Sequence, residues 1–331
     1  MGKVPRKILE KHVFPYLGAP NPRLIKGPLL GEDAAIIDQG DRVLVAKANP
    51  ITGAERGIGW LAVHINANDV ATRGARPTWY FSIILLPEDS EEALLEEIMQ
   101  DQHRACNKLG ISIAGGHTEV APGLSRPIVA GFMLGEAPRG KYFTTSGAQV
   151  GDHILMTKGA GLEGTSILAT DLYQLLREEL PPDTLSRAQR FLEEISIVPE
   201  AMIASQTPGT HAMHTPTEGG ILNGLVELTE PAKLGFKVHQ DQIPVRMETR
   251  AICQALQINP LSLLSSGSLL IAIDPGHGQE LKDQLRASGI EANIIGEVTQ
   301  GGYVLVGPDG SEQSVEPVEQ DELFRILESQ G

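Results

Sequence analysis

Hydrophobic and polar positions in the first half of the chain switch between two periods. Alternation through DRVLVAKA predicts a strand, whereas Ile58, Leu61, Ala62 and Ile65 recur at i, i+3, i+4 and i+7 and predict a helix over 57–73 that turns one stripe toward a core. PTWYFSIILLP predicts a second strand. A D-x-x-E box from Asp89 to Glu92 opens the next helix, and Gly110 stops it after Leu109. ISIAGG and RPIVAGFMLGEA predict two more strands, and the polar turns of TTSGAQVGDHILMTK mark a boundary near residue 150. Beyond it the pattern predicts a strand at 154–157, helices at about 165–178 and 183–206, one starting near Gly219 and one over 247–257. Strands at SLLIAID, NIIGEV and YVLVG follow, with the helix GQELKDQLRASG between the first two. The expected architecture is α+β in two domains, 1–150 and 151–331, without tandem repeats.

Composition narrows what such a chain does. Its 331 residues are 41% hydrophobic and 21% charged, which suits folded domains rather than disorder. Forty-two acidic residues against 27 basic ones give a formal charge of −15, so neither nucleic acid nor an anionic membrane is expected as the main partner. A local anion site built from backbone N–H groups and a few cations stays compatible with that charge. Cys106 and Cys253 are too few for a disulfide framework or a cysteine zinc site and are expected to be small buried side chains in a reducing compartment. No signal peptide or apolar span is read in the sequence, which predicts a cytoplasmic enzyme or binding protein.

Several stretches carry candidate chemistry. KGAGLEGTSIL places Gly159, Gly161 and Gly164 in G-x-G-x-x-G between a strand and a helix, but the second strand and acid that a dinucleotide fold needs about 20 residues later are missing. What survives is a turn whose N–H groups can receive an anion, beside the plain alternative of a tight turn. Asp33 in GPLLGEDAAIID and Asp69 in NANDVATRGARP are candidate metal ligands, and Asp69 continues the apolar stripe of its helix. An inward carboxylate is costly unless paired, hydrogen-bonded or bound to a cation, and Mg²⁺ typically takes one or two carboxylates and fills its shell with water and phosphate oxygens. IAGGHTEV supplies Gly115, Gly116, His117, Thr118 and Glu119 at a strand end, and HTPTEGG supplies Thr217, Glu218 and Gly219 at a helix start. Each has a structural alternative: a turn cap at Asp33, an Asp69–Arg73 pair at i+4, a solvated Glu119, a helix cap at Thr217–Glu218. HAMH sets His211 and His214 at i, i+3 as a weak metal pair without a third ligand.

In this order, GEDAAIID, NDVATRGARP, GGHTEV, VGDHILMTKGAGLEGTSIL, TPTEGGI, SSGSLLIAI and IIGEV resemble the aminoimidazole ribonucleotide (AIR) synthase superfamily, above all its hydrogenase-maturation branch. The resemblance implies an N-terminal domain that forms a dimeric β-barrel with its copy, an α/β sandwich-like C-terminal domain, and ATP with Mg²⁺ in the cleft between them. It implies phosphoryl transfer from ATP to a small-molecule acceptor, or service to a metalloenzyme-maturation partner. Asp33, Asp69, Glu119 and Glu218 would hold metal, and His117 and Asp69 would act in catalysis. Asn68, Gly115, Gly116, Thr118, Gly159, Gly161, Gly164, Thr217 and Gly219 would hold the nucleotide. Two departures stand out: Asn49 and Thr215 fill positions that are usually acidic, which implies fewer or weaker metal sites. FRILESQG carries no Cys like the carrier of the hydrogenase-maturation protein, and Asn49 and Thr215 motivate the alternative of a catalytically degenerate nucleotide-binding assembly factor, beside a thiamine-monophosphate kinase-like enzyme.

Overall fold

Period-two burial in three adjacent strands builds the first sheet. The computed structural model describes residues 4, 6–29, 31–52, 54 and 56–330. The chain divides into a smaller compact unit, Asn21–Gly27 with Asp33–Tyr142, and a larger one, Met1–Pro20 with Pro28–Glu32 and Phe143–Gly331. In chain order the elements begin with α1 (Arg6–His12) of the larger unit and continue through the smaller one: β1 (Leu24–Lys26), β2 (Ala35–Asp38), β3 (Arg42–Ile51), α2 (Ile58–Ala71), β4 (Arg76–Leu86), α3 (Glu92–Leu109), β5 (Ser112–Val120) and β6 (Ile128–Pro138). The six strands run in the order β1-β2-β3-β6-β4-β5. Val43 and Val45 of β3, Tyr80 and Ile84 of β4, and Val129 and Met133 of β6 are buried, while alternate residues such as Ile83 and Phe132 lie exposed on the other face. α2 packs on the buried face against β3, β4 and β6, with α3 beside it.

Two expectations change here. The stripe on α2 is only part of its buried surface, because all fourteen of its residues are buried between sheet and α3. A helix buried all round presents its polar side chains to the interior too. Asp89 does not cap α3: Glu91 occupies the N-cap without a side-chain hydrogen bond, while Gly110 takes the left-handed C-terminal position as expected.

The larger unit continues with β7 (His153–Thr157), α4 (Leu162–Asp171), α5 (Tyr173–Leu176), α6 (Pro182–Gln189), α7 (Val198–Gln206), β8 (Thr210–His214), α8 (Gly220–Thr229), β9 (Gly235–His239), α9 (Met247–Leu256), β10 (Leu270–Ile273), α10 (Pro275–Ala287), β11 (Ala292–Thr299), β12 (Tyr303–Val306), β13 (Glu312–Ser314) and α11 (Glu322–Gln330). Its seven strands run β13-β12-β9-β11-β7-β10-β8. One core of this unit joins Ile154 and Met156 of β7 to Ile221 and Leu225 of α8 and Phe236 of β9. A second joins Ile167 and Leu168 of α4, Leu185 of α6, Ile252 of α9 and Leu323 of α11. The long helices expected at 165–178 and 183–206 are broken into α4 to α7 and a 3₁₀ turn at Arg190–Glu194. Prolines sit in the first turns of α6 and α7, where a missing N–H costs nothing. HAMH lies in strand β8, whose pairing with β10 skips His211. His211 and His214 meet Asp152 at 2.8 Å and Glu227 at 2.9 Å respectively, which removes the metal pair.

The chain is thus a two-domain α+β fold with two sheets, as expected. β1 and β5 are the two ends of the first sheet, so a single copy does not close it into a barrel. Among the described residues no helix is long and apolar enough to cross a membrane.

Candidate functional site

In the smaller unit the pleat of β3 puts Lys47 and Asn49 on the same face as Val43 and Val45, toward α2. Asp69 of α2 receives both: Lys47 Nζ lies 3.0 Å from its Oδ2, and Asn49 Nδ2 donates to that oxygen at 2.8 Å. A carboxylate only accepts, so the amide must present its NH₂ group to Asp69. Asn66, one turn earlier, clamps the strand to the helix by accepting from the Asn49 N–H at 2.8 Å and donating to the Asn49 carbonyl at 3.2 Å. Asn68 is buried on the same helix.

Just past the end of α2, Arg73 is fully buried and donates through Nη2 to Asp33 Oδ2 at 2.8 Å. The Thr72 hydroxyl lies 3.0 Å from that same oxygen and 2.7 Å from the Asp69 carbonyl, and it accepts from Arg73 Nε at 3.1 Å. Thr72 therefore ties the Asp33 carboxylate to the main-chain carbonyl of Asp69. The helix-ending sequence RGARP delivers the arginine that answers Asp33.

GGHTEV forms the C-terminal part of β5. Ile83 pairs with His117 and Leu85 with Glu119 in the parallel β4–β5 ladder, so both side chains project with exposed Ile83, away from α2. His117 Nε2 and Glu119 Oε2 are 3.0 Å apart, and both side chains are more than half exposed. The sheet thus separates them from Asp69. Thr118 pairs with Ile84 on the α2 side. Gly115 sits against the Phe81 ring, 3.2 Å from where a Cβ would stand, and a Cβ on Gly116 would fall 2.1 Å from the Ser82 carbonyl oxygen. Close strand pairing accounts for that second glycine.

In the larger unit the amides of the 159–164 turn are largely spent inside the protein. Ala160 N–H donates to the Pro244 carbonyl, Gly161 N–H to Ser265 Oγ at 2.8 Å and Gly164 N–H to the Leu264 carbonyl at 3.0 Å, while the Gly159 carbonyl accepts from Ser268. Gly161 has φ +72°, and a Cβ on Gly164 would stand 2.6 Å from Leu263, so packing and turn geometry require both. Lys158 of the same turn directs its ammonium to Glu200 at 2.7 Å and to the carbonyls of Glu194 and Ser196. Burial holds its pKa below the ordinary lysine value.

Glu163, in the first turn of α4, is buried, and burial pushes its carboxyl up to about 7 against the opposing pull of a hydrogen bond with Ser266. Glu218 and Asp321 add negative field in the same upward direction. Asp321 is held at about 6, raised by burial although it accepts from the Leu323, Gly219 and Leu264 amides at 2.8, 2.7 and 3.2 Å. The Thr217 carbonyl accepts from the Gly220 and Ser265 amides. Thr217, Glu218 and Gly219 thus sit beside a buried acidic cluster whose other members, Glu163 and Asp321, sequence reasoning missed. Glu163 was hidden inside a glycine motif, and Asp321 had no local pattern around it.

AIR synthase related protein models match this chain twice: the N-terminal domain model over residues 31–137 and the C-terminal domain model over 149–307. The chain belongs to the AIR synthase-related family. A carbamoyl dehydratase HypE of Azotobacter vinelandii is 31% identical to this family member over 278 residues, 81% of this chain and 78% of the relative. A putative hydrogenase expression/formation protein of Methanocaldococcus jannaschii is 28% identical over 281 residues, 81% and 80% of the two chains. Among solved structures, a chain of the HypE–HypF complex superposes with a TM-score of 0.79 at 19% identity, covering 94% of this chain and 99% of that one. HypE in complex with ATP gives 0.71 at 23%, covering 98% and 97%. ThiL complexed with AMPPCP and TMP gives 0.72 at 21%, covering 89% and 92%. At these identities the likeness to the solved structures is one of fold.

The donor set of this AIR synthase-related protein bears directly on a resident Mg²⁺. Among the described residues no three His, Cys, Asp or Glu side chains form a group that holds a metal. In the smaller unit Asp33 and Asp69 are each set against a basic side chain, and Glu119 lies on the other face of the sheet. Glu218 belongs to the larger unit. This arrangement does not fit a divalent ion held by Asp33 and Asp69. Cys106 and Cys253 are free and buried, and burial pushes both thiols up to about 12. Neither suits a thiolate carrier at neutral pH.

Proposed function

We propose that this protein is an ATP-binding member of the AIR synthase-related family that transfers a phosphoryl group to a small-molecule acceptor or serves a partner in metalloenzyme maturation. The observation that carries the reading is a pair of buried, charge-matched carboxylates in one unit, Asp69 with Lys47 and Asn49 and Asp33 with Arg73 and Thr72. Charged groups are costly to bury and persist in a core chiefly where they are matched to one another or to a ligand. Family relatives solved with ATP or AMPPCP on the same fold support a nucleotide as that ligand. Phosphoryl transfer asks for placement and charge neutralisation more than for a covalent nucleophile, so the buried thiols do not count against it. Mg²⁺ enters this reading only as the ion that ATP carries in solution.

In the smaller unit we assign Asp69, Asn68 and Asp33, and in the larger unit, taken by itself, Glu163, Thr217, Glu218 and Gly219, with domain limits near 1–150 and 151–331. Gly159, Gly161 and Gly164 shape the turn ahead of α4. A homodimer through the exposed face of β4, β5 and β6 is part of the same reading. Ile83 and Phe132 are 48% and 40% exposed there, an apolar surface that a second copy would cover while bringing His117, Glu119 and Gly115 into an interface. Two free thiols and no membrane-crossing helix among the described residues agree with a cytoplasmic setting.

A second reading, a nucleotide-binding assembly factor without turnover, is favoured by one observation: Asn49 donates to Asp69 where the resemblance places an acid. A HypE–HypF complex among the structural relatives supports a protein partner. Calorimetry with ATP tests binding, and ADP release over a panel including thiamine monophosphate tests turnover. Binding with turnover supports transfer, binding without it supports assembly, and no binding removes both.

A further inference from the structure

We propose that the ε-ammonium of Lys47 is the resident cation of the Asp69 carboxylate, and that with Arg73 on Asp33 this unit closes its own acidic pair and holds no divalent ion. The family resemblance leads one to expect metal at these two aspartates. The four side chains instead sum to zero charge: two carboxylates, one ammonium and one guanidinium. Lys47 Nζ and Asn49 Nδ2 both lie on Asp69 Oδ2, at 3.0 and 2.8 Å, in a position where a hard cation would need that oxygen at about 2.1 Å. An ammonium so placed repels a divalent ion approaching the same carboxylate, and an amide NH₂ offers it no lone pair.

The placement is built into the fold. Lys47 reaches Asp69 because it shares the α2-facing register of β3 with Val43, Val45 and Asn49, and its side chain is only 23% exposed. Its side chain is largely withdrawn from solvent while its ammonium meets the buried acid. Asn66 fixes the distance between strand and helix through both backbone groups of Asn49. Arg73 is wholly buried and has Asp33 and the Thr72 oxygen as acceptors. Two cations of the chain thus neutralise the acids at this place.

The inference deepens the proposed nucleotide reading, but its test does not depend on it. Mn²⁺ alone is titrated into the full chain without nucleotide, and free Mn²⁺ is followed by electron paramagnetic resonance. The expected result is no site tighter than about 1 mM, the weak end of protein binding to hard divalent ions. One tight Mn²⁺ per chain that disappears in Asp69→Asn overturns the proposal. Lys47→Met removes the ammonium and is expected to raise Mn²⁺ affinity about tenfold or more, since the carboxylate then lacks its counter-charge. Asp69→Asn added to that variant should abolish the gain. Should Lys47→Met fail to fold, Lys47→Gln keeps a donor to Asp69 and carries the same expectation. A folded charge-neutral variant with unchanged Mn²⁺ affinity overturns the role given to Lys47. Calorimetry of the wild-type chain with Mg²⁺-loaded ATP keeps the two ideas apart: absence of binding would sink the nucleotide reading and leave the nucleotide-free Mn²⁺ result standing.

Discussion

In the smaller unit Asp33 and Asp69 are set against Arg73 and Lys47 at 2.8 and 3.0 Å, whereas in the larger unit Glu163 and Asp321 have a hydroxyl and backbone amides for company. The first arrangement offsets desolvation with opposite charge, and its members stand or fall together. The second lets burial move the acids toward their neutral form, to about 7 and about 6. One kind of site is sensitive to losing a partner and the other to pH. The same acidic chain thus contains a charge-matched centre and a proton-dependent one.

Breaking the charge-matched centre should have the largest effect. Arg73→Met strands Asp33 in the interior, and loss of one partner of a buried pair typically costs about 3–5 kcal/mol. Trp60 and Trp79, the two tryptophans of the chain, both lie in the smaller unit, so denaturation followed by tryptophan fluorescence reports this unit. Asp33→Asn combined with Arg73→Met should recover most of the loss, since no stranded charge remains. A loss of the same size in the double variant would assign the damage to lost packing around the arginine.

Asp321→Ala tests the other region. It leaves the amides of Gly219, Leu264 and Leu323 without their acceptor, at a cost of about 2–3 kcal/mol after the relief of a buried acid is counted. Hydrogen exchange at those three amides is the direct measurement. All three should lose protection together, and protection unchanged at Gly219 would mean that Asp321 does not tie α8 to the start of α11. Asp321→Asn, which keeps one acceptor, should fall between.

The contrast between the two regions was unevenly legible in the sequence. Period two through Val43, Val45, Lys47 and Asn49 already places the lysine on the core face of β3, but the partner across from it is a matter of tertiary register. The inward aspect of Asp69 was readable from the helical stripe, although α2 is buried on every side because α3 covers what the sheet does not. His117 and Glu119 were grouped with Asp69 through motif order alone, and the pleat of β5 sends them to the opposite face. Long strands and the Gly110 stop were fixed by local chemistry. Strands β2, β8 and β9 went unread although β10 and β12 are as short and were read; β8 and β9 carry histidine or lysine within the segment and lack the unbroken apolar run of LIAI and YVLV. Asp321 lies more than 50 residues from Gly219 and Leu264, beyond the reach of any local pattern.

The smallest effect expected, and the one that most sharpens the comparison, is a change of slope rather than of height. Glu163 ionises near 4.5 when exposed and near 7 in the folded protein, so the folded state holds its proton over a range where the unfolded chain has released it. Stability contributed by this site is therefore full below about 4.5, falls as pH rises toward 7 and is lost above it. The shift sets a ceiling of roughly 3 kcal/mol, and about half of that is expected because Asp321 titrates over an overlapping range and shares the field. Glu163→Gln keeps a hydrogen-bonding group for Ser266 and removes the charge. Calorimetric unfolding at pH 5 and pH 8 should show wild type losing stability between the two, with the variant losing about 1–2 kcal/mol less by that reckoning. Equal slopes would mean that Glu163 is already neutralised by a group the cluster does not contain, and the division of the molecule into a charge-matched and a proton-dependent centre would fail.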